Sequence, residues 1–164
     1  MAGSIILRPY RPGDGPLLAA LFYQTVHTVN ARDYTPAQLE AWAPSPGAPS
    51  PDGSAAWERS FQGRRALVAE IGGRIAGFGD LDPERGYLDR LYVHKDRQGQ
   101  GVASALCAAL EAASRAGKVY TYASLTARPF FLHRGYRVLR ENQVERRGVA
   151  LTNFLMEKRL SGAL

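Results

Sequence analysis

The run Val93-His94-Lys95-Asp96-Arg97-Gln98-Gly99-Gln100-Gly101-Val102-Ala103-Ser104 joins an apolar stretch ending at Val93 to a helical pattern opening at Val102. Its small residues let backbone approach a ligand closely, and the amides at the start of a helix lack partners within it. Such amides, with the positive end of the helix dipole, suit a phosphate or pyrophosphate. Arg97 and Lys95 stand beside the turn and add charge. The same glycines also fit an ordinary strand-to-helix turn, so the run by itself leaves both readings open. Upstream, Tyr87, Asp89, Leu91 and Val93 share one face under the two-residue period of a strand. That period puts Asp89 in line with the turn. Its carboxylate is a candidate general base, and it equally suits a surface aspartate paired with Arg90 or Arg85. Glu84, in a turn, is a weaker candidate.

The elements that must hold these residues can be read from period and punctuation. Ile5 to Tyr10 reads as a first strand, followed by a turn in which Asp14 caps the next helix. Leu17, Leu18, Leu21, Phe22 and Val26 recur at helical spacing to about Val29. Thr35, Pro36 and Gln38 have the form of a capping box opening a short second helix. Pro44, Pro46, Pro49 and Pro51 mark Pro44 to Gly53 as a surface loop, an excursion within a single domain of residues 1–164. Trp57 to Phe61 is briefly helical, and 66–71 with 74–79 form a hairpin around Gly72-Gly73. Tyr87 to Val93 is a strand. Val102, Leu106, Ala109, Leu110 and Ala113 then make one helical face, with Glu111 and Arg115 off it and Gly117 as the stop. Val119 to Leu125 is strand, Pro129 to Arg134 a short helix, and Tyr136 to Glu145 and Leu151 to Lys158 two last strands. The order predicts a mixed α/β (α+β) domain with a largely antiparallel sheet flanked by helices.

Composition narrows the class. A single cysteine, Cys107, forms no internal disulfide, and no apolar run approaches the ~20 residues of a membrane-spanning helix. Residues 1–8 hold too short an apolar patch for a secretory signal, so the expected location is cytoplasmic. With 21 Lys and Arg against 15 Asp and Glu, the charge of +6 favours anionic partners. The basic residues are scattered, Arg64-Arg65 and Arg146-Arg147 being the densest groups, which suits a solvated surface better than a nucleic-acid site.

The pattern Gln98-x-x-Gly101-x-Ala103, after a strand ending Leu91-Tyr92-Val93, resembles the acetyl-CoA signature of the GNAT superfamily of N-acetyltransferases. Its spacing is not that of a Rossmann fingerprint, and it lacks the Lys-Ser/Thr ending of a Walker loop. The resemblance spans nearly the whole chain. The element order fits, and Ala127-x-x-x-Phe131-x-x-x-Gly135-Tyr136 resembles the family's closing segment. Tyr34 to Trp42 and Arg128-Pro129-Phe130-Phe131 look like a small bacterial GNAT subgroup.

The resemblance implies transfer of an acetyl group from acetyl-CoA to a primary amine, on a small molecule or a protein, by direct attack and without a metal. It implies that the strands at 87–93 and 119–125 splay apart and that Leu91, Tyr92 and Val93 offer backbone to the pantetheine arm. Arg97, Gln98, Gly99, Gln100, Gly101, Val102, Ala103 and Ser104 would then hold the pyrophosphate, with Ser124 and Phe131 also on the cofactor. Phe131 stands where the family commonly has a tyrosine that protonates the departing sulfur, and Ser124 where asparagine is frequent. Either the thiol, with an ordinary pKa near ~8.5, leaves unaided, or Tyr122 or Tyr120 on the face of Ser124 replaces the acid. His133 is expected to be merely exposed, and Cys107 to pack rather than react. The amine acceptor is expected among the first two helices, at His27, Tyr34 and Trp42, although core packing is the more ordinary role for Trp42 and solvation an ordinary one for His27. Two other functions compete: a sensor that binds acetyl-CoA without catalysis, suggested by Phe131, and a basic nucleic-acid-binding domain. The chain is read as a monomer or homodimer with no membrane partner.

Overall fold

A computed structural model describes residues 3–45 and 53–160. Seven strands form one sheet: β1 (Ile5–Pro9), β2 (Arg65–Ile71), β3 (Arg74–Asp82), β4 (Tyr87–Val93), β5 (Lys118–Ser124), β6 (Arg137–Arg146) and β7 (Val149–Arg159). Their order is β1-β2-β3-β4-β5-β7-β6, and each neighbouring pair is antiparallel except β4 with β5. A parallel pair needs a long crossover, and here it contains helix α4 (Val102–Ala112). The other helices are α1 (Gly15–Thr28), α2 (Pro36–Trp42), α3 (Gly53–Ser60) and α5 (Arg128–His133). This is the mixed, mainly antiparallel architecture expected from the sequence. Of the Pro44–Gly53 loop, residues 46–52 lie outside the described residues.

Burial divides the apolar side chains between the two faces of the sheet. Val102, Leu106 and Leu110 of α4 pack with Leu67, Leu81, Leu88 and Val93 on one face. On the other, Leu18 and Leu21 of α1 join Phe61, Val68 and Phe78, while Val26 meets Tyr34, Leu39 and Leu151.

Four local expectations need correction or note. Thr35 and Gln38 form the capping box in full, with Gln38 N–H to Thr35 Oγ1 at 3.2 Å and Thr35 N–H to Gln38 Oε1 at 2.8 Å. Asp14 does occupy the cap position of α1, but its carboxylate caps nothing there. It accepts from Arg8 at 2.8 and 3.0 Å and from Arg11 N–H, and Glu58 of α3 accepts the free Gly15 N–H at 3.2 Å. Helix α4 stops at Ala112, short of Gly117. Glu111, expected off the apolar face, is buried, accepting from Tyr136 Oη at 2.7 Å and Arg134 at 2.8 Å.

Candidate active site

Strand β4 ends at Val93, and a 3-10 turn over Lys95–Arg97 leads to the glycines. Gly99 and Gly101 have φ of 71° and 87°, the left-handed region in which a side chain is strained. A Cβ on Gly99 would meet nothing within 4 Å, and one on Gly101 only Ile5 at 3.9 Å, so both face open space. No side chain caps the first amides of α4. These amides therefore open into a cleft of about 560 Å³ lined by Arg97, Gln98, Gly99, Gly101, Val102, Ala103 and Ser104. Gln100, expected in this group, does not line it; its Nε2 donates to the Asp96 carbonyl at 3.4 Å.

The cleft continues between β4 and β5, which pair at a single rung, Tyr87 with Tyr120. Thr121 Oγ1 donates to the Leu88 carbonyl at 2.8 Å, and beyond it the strands part. His94 N–H bonds to the Ala76 carbonyl of β3 at 2.8 Å, so antiparallel alternation turns the backbone of Val93 and Leu91 toward the gap. The Val93 carbonyl is already taken, by Thr25 Oγ1 at 3.0 Å and Gln98 Nε2 at 2.8 Å. Gln98 thus braces the end of the strand with its side chain. The Val93 amide and the backbone of Leu91 remain for a ligand.

A bulge changes the position of Asp89. On β3, Asp80 pairs with Arg90 and Leu81 with Leu88, leaving Asp89 as an extra residue in β4. Leu88, Leu91 and Val93 therefore all pack with the α4 cluster, while Arg90 lies over Trp57 and Phe61 on the opposite face. The expected common face of 87, 89, 91 and 93 is broken at the bulge. Asp89 instead accepts from Arg64 Nη1 at 3.0 Å and Tyr87 Oη at 3.2 Å. Neither Arg90 nor Arg85 is its partner: Arg90 binds Asp80 at 2.8 Å through both Nε and Nη2, and Arg85 lies over the Tyr87 ring. Burial, helped by the charge of Asp89, pushes the Tyr87 phenol well above its ordinary pKa, so it stays a donor.

Asp89 borders both the cleft and a second cavity of about 260 Å³, and so do Trp42, Tyr92, Tyr122 and Ser124. Tyr122 is 40% exposed, with its ring edge-on to Tyr87 at 6.1 Å. Tyr120 stacks on Tyr87 at 5.0 Å and lines neither cavity. Ser124 Oγ accepts from Ala127 N–H at 3.0 Å, shaping the turn into α5. Phe131 lines the cleft but is only 3% exposed and packs edge-on against Tyr136.

The acceptor-side residues fare unequally. His27 lines neither cavity; its Nε2 bonds with the Ala43 carbonyl at 2.7 Å and its ring lies against Tyr23. Tyr34 lines the second cavity, but its hydroxyl is engaged, donating to the Thr152 carbonyl at 2.7 Å and accepting from Leu125 N–H at 2.9 Å. Trp42 is half-buried and lines both spaces. His133 is exposed. Cys107 is fully buried against Glu111, and burial pushes its thiol up to about 11, an inert position. Sequence reasoning missed Arg64 as the partner of Asp89, and Asn153 of β7 in the cavity wall. No spacing along the chain signals either: Arg64 reaches across from the bend before β2, and Asn153 arrives by the pairing of β7 with β5. Among the described residues no His, Cys, Asp and Glu group is placed to hold a metal ion, and no helix is long and apolar enough to cross a membrane.

A family model described as an acetyltransferase (GNAT) domain matches residues 30–160. YafP, an uncharacterized N-acetyltransferase of Escherichia coli (strain K12), is 32% identical over 153 residues, covering 93% of this chain and 95% of that protein. The crystal structure of a GCN5-related N-acetyltransferase from Rhodopseudomonas palustris superposes with a TM-score of 0.86 at 34% identity, covering 98% of both chains. At 18% identity, a PaiA N-acetyltransferase of Thermoplasma acidophilum, solved in complex with coenzyme A, shares the fold with a TM-score of 0.68 over 95% of this chain and 99% of that one. With its splayed strands, open glycine turn and matching family model, the chain belongs to the GNAT superfamily of N-acetyltransferases.

Proposed function

We propose that this chain, as one domain, moves an acetyl group from acetyl-CoA to a primary amine by direct attack. The observation that carries the reading is the junction of two spaces at Asp89 and Tyr122, one open to the glycine turn and the other walled by aromatic rings. The residues present fit the cosubstrate. Uncapped amides at Gly101 to Ser104, with Arg97 beside them, suit the pyrophosphate, and the free backbone of Leu91 and the Val93 amide suit the pantetheine amides. Acetyl-CoA supplies the activated acyl group as a thioester.

The chain's own residues do the rest. Asp89 uses one acceptor site on each carboxylate oxygen for Arg64 and Tyr87, and each oxygen has a second one free. It draws an ammonium to the junction and takes its proton, directly or through a water, so that the amine lone pair becomes available. Tyr122 Oη, with no hydrogen-bond partner among the described residues, holds a proton at the junction for the sulfur as it departs. This gives Tyr122 the part that Phe131, buried and without a donor, lacks.

The test is release of coenzyme A thiol from acetyl-CoA across alkylamines, polyamines, aminoglycosides, amino acids and lysine peptides, alongside direct acetyl-CoA binding. Acceptor-dependent release is the expected result. Absence of acetyl-CoA binding would overturn the reading.

A further inference from the structure

We infer that the side chain of Asn30 is a binding residue for the pantetheine arm of acetyl-CoA, taking one of its amides from the wall opposite β4. This role rests on the acetyl-CoA reading above and adds a residue to it.

Residues 25–34 cross the gap between the splayed strands. At one side, Thr25 Oγ1 donates to the Val93 carbonyl at the end of β4, at 3.0 Å. At the other, just beyond the end of β5, Asp33 accepts from Thr126 Oγ1 at 2.7 Å and Tyr34 Oη from Leu125 N–H at 2.9 Å. Asn30 lies between these moorings, in the 3-10 turn Asn30–Arg32, where its carbonyl accepts from Asp33 N–H at 3.0 Å. The segment therefore roofs the gap, and Thr25, Val29, Asn30 and Arg32 all line the cleft.

Asn30 is only 6% exposed, a degree of burial at which a polar side chain ordinarily has partners. Its amide makes no hydrogen bond among the described residues. Neither its oxygen nor its nitrogen is sealed in, however, as the unpaired Asn153 Oδ1 is. An unpaired amide on a buried residue of the cleft wall opens onto the cleft. Asn30 lines that space and not the second cavity, which puts it on the side of the glycine turn rather than of Trp57 and Asn153.

The hydrogen-bonding capacity of β4 leaves a place for it. A pantetheine arm carries two secondary amides, hence two N–H donors and two carbonyl acceptors, one amide on either side of a β-alanyl unit. The backbone of β4 that faces the gap offers the Leu91 and Val93 amides and the Leu91 carbonyl. The Val93 carbonyl is saturated, because Thr25 at 3.0 Å and Gln98 at 2.8 Å take both of its lone pairs. Strand β4 can therefore serve both arm carbonyls but only one arm N–H. The other needs an acceptor from elsewhere in the cleft, since a buried donor left unpaired weakens the complex. Ser124 Oγ already accepts from Ala127 N–H at 3.0 Å, and Thr25 Oγ1 is turned to Val93. Asn30 Oδ1 has both lone pairs free, and its Nδ2 is free to meet an arm carbonyl.

The test is calorimetry of the full chain with acetyl-CoA, with coenzyme A, and with 3′-phosphoadenosine 5′-diphosphate, which carries the phosphates without the arm. Asn30→Leu keeps the bulk and removes the amide, so acetyl-CoA and coenzyme A should each bind roughly five- to tenfold more weakly. The armless nucleotide is expected to bind variant and parent alike, and Tm not to fall, because the amide bonds to nothing in the protein. Asn30→Ala, which cannot overfill the roof, repeats the measurement should leucine disturb folding. Unchanged affinity for acetyl-CoA and coenzyme A overturns the role of Asn30 and leaves acetyl-CoA binding by the parent standing. A loss of the armless nucleotide as large as that of coenzyme A overturns it as well, and so does a loss confined to acetyl-CoA, because the contact is then not with the arm. No acetyl-CoA binding by the parent removes the cosubstrate reading itself, and this role with it.

Discussion

Asp89→Asn separates the chemistry of the site from its architecture. Asparagine keeps the size of the side chain and an oxygen that can accept from Arg64 or Tyr87, now at 3.0 and 3.2 Å from the carboxylate, but it carries no charge and takes no proton. The structural cost is small. Asp89 has a side chain 36% exposed, so its ion pair with Arg64 is worth at most about 1 kcal/mol. Arg64 also keeps a second anion, Asp80, at 3.6 Å. For a chain of this length that corresponds to a Tm decrease of about 4 °C at most. The chemical cost is much larger, because a positioned general base contributes roughly 10²–10⁴ in rate, or about 3–5 kcal/mol of barrier. The assay is thiol release at saturating acetyl-CoA with the acceptor varied, paired with a thermal melt of both proteins. The expected result is a fall in kcat/KM for the amine of two to four orders of magnitude, roughly, with the melt nearly unchanged and acetyl-CoA affinity intact. If kcat/KM stays within about threefold of the parent across neutral and alkaline pH, Asp89 is no base and the junction argument fails.

Three further outcomes follow from the same geometry. Tyr122→Phe should lower kcat about tenfold, less than the full effect of an acid because a thiol leaves readily, while Tyr120→Phe, which lines neither cavity, should leave kcat alone in the same assay. Gly101→Ala introduces no clash, but alanine at φ 87° costs roughly 1–2 kcal/mol and relaxes the turn, so calorimetry should find weaker acetyl-CoA binding, and unchanged binding would refute the role of the turn. Burial opposes ionisation of Glu111, yet hydrogen bonds from Tyr136 and Arg134 and the charge of Lys158 hold its carboxyl below the ordinary range. A carboxyl depressed in the folded state stabilises above its unfolded pKa, and that stability is lost as pH falls through the folded value. Urea unfolding across acidic pH should therefore show a decline that is shallower in Glu111→Gln, and an identical decline in both proteins would refute the assignment.

What the sequence made legible was local. The capping box at Thr35, the glycine hairpin at 72–73 and the uncapped turn before Val102 are each written within a few consecutive residues, because each is a contest between backbone groups and their nearest neighbours. Asp14 shows where that reasoning stops: its cap chemistry is right, but a guanidinium one strand away, Arg8, makes the better partner and leaves the helix amide to Glu58. Glu111 fails for the same reason. On its own helix it reads as solvent-facing, and only the arrival of Tyr136 and Arg134 from the α5–β6 segment makes its burial tolerable.

The site itself divides along this line. The wall of the cleft at the glycine turn is one contiguous segment, so its lining residues could be named in advance, Gln100 and the use of the Gln98 side chain excepted. The second cavity is assembled from α1, α2, α3, β4, β5, β6 and β7, and the decisive feature is a bulge that exists only as a mismatch between β3 and β4. A two-residue period assigns Asp89 to the face of Leu91; the mismatch turns it to the side of Arg64 and Tyr87, where it meets the aromatic cavity. The carboxylate was therefore nominated for a reason that does not hold in the fold, and it reaches the junction of the two spaces by a different one. That difference has a chemical consequence. On the face of Leu91 it would have been buried beneath α4, whereas at the bulge it stays partly hydrated and paired, as the proposed proton transfer requires.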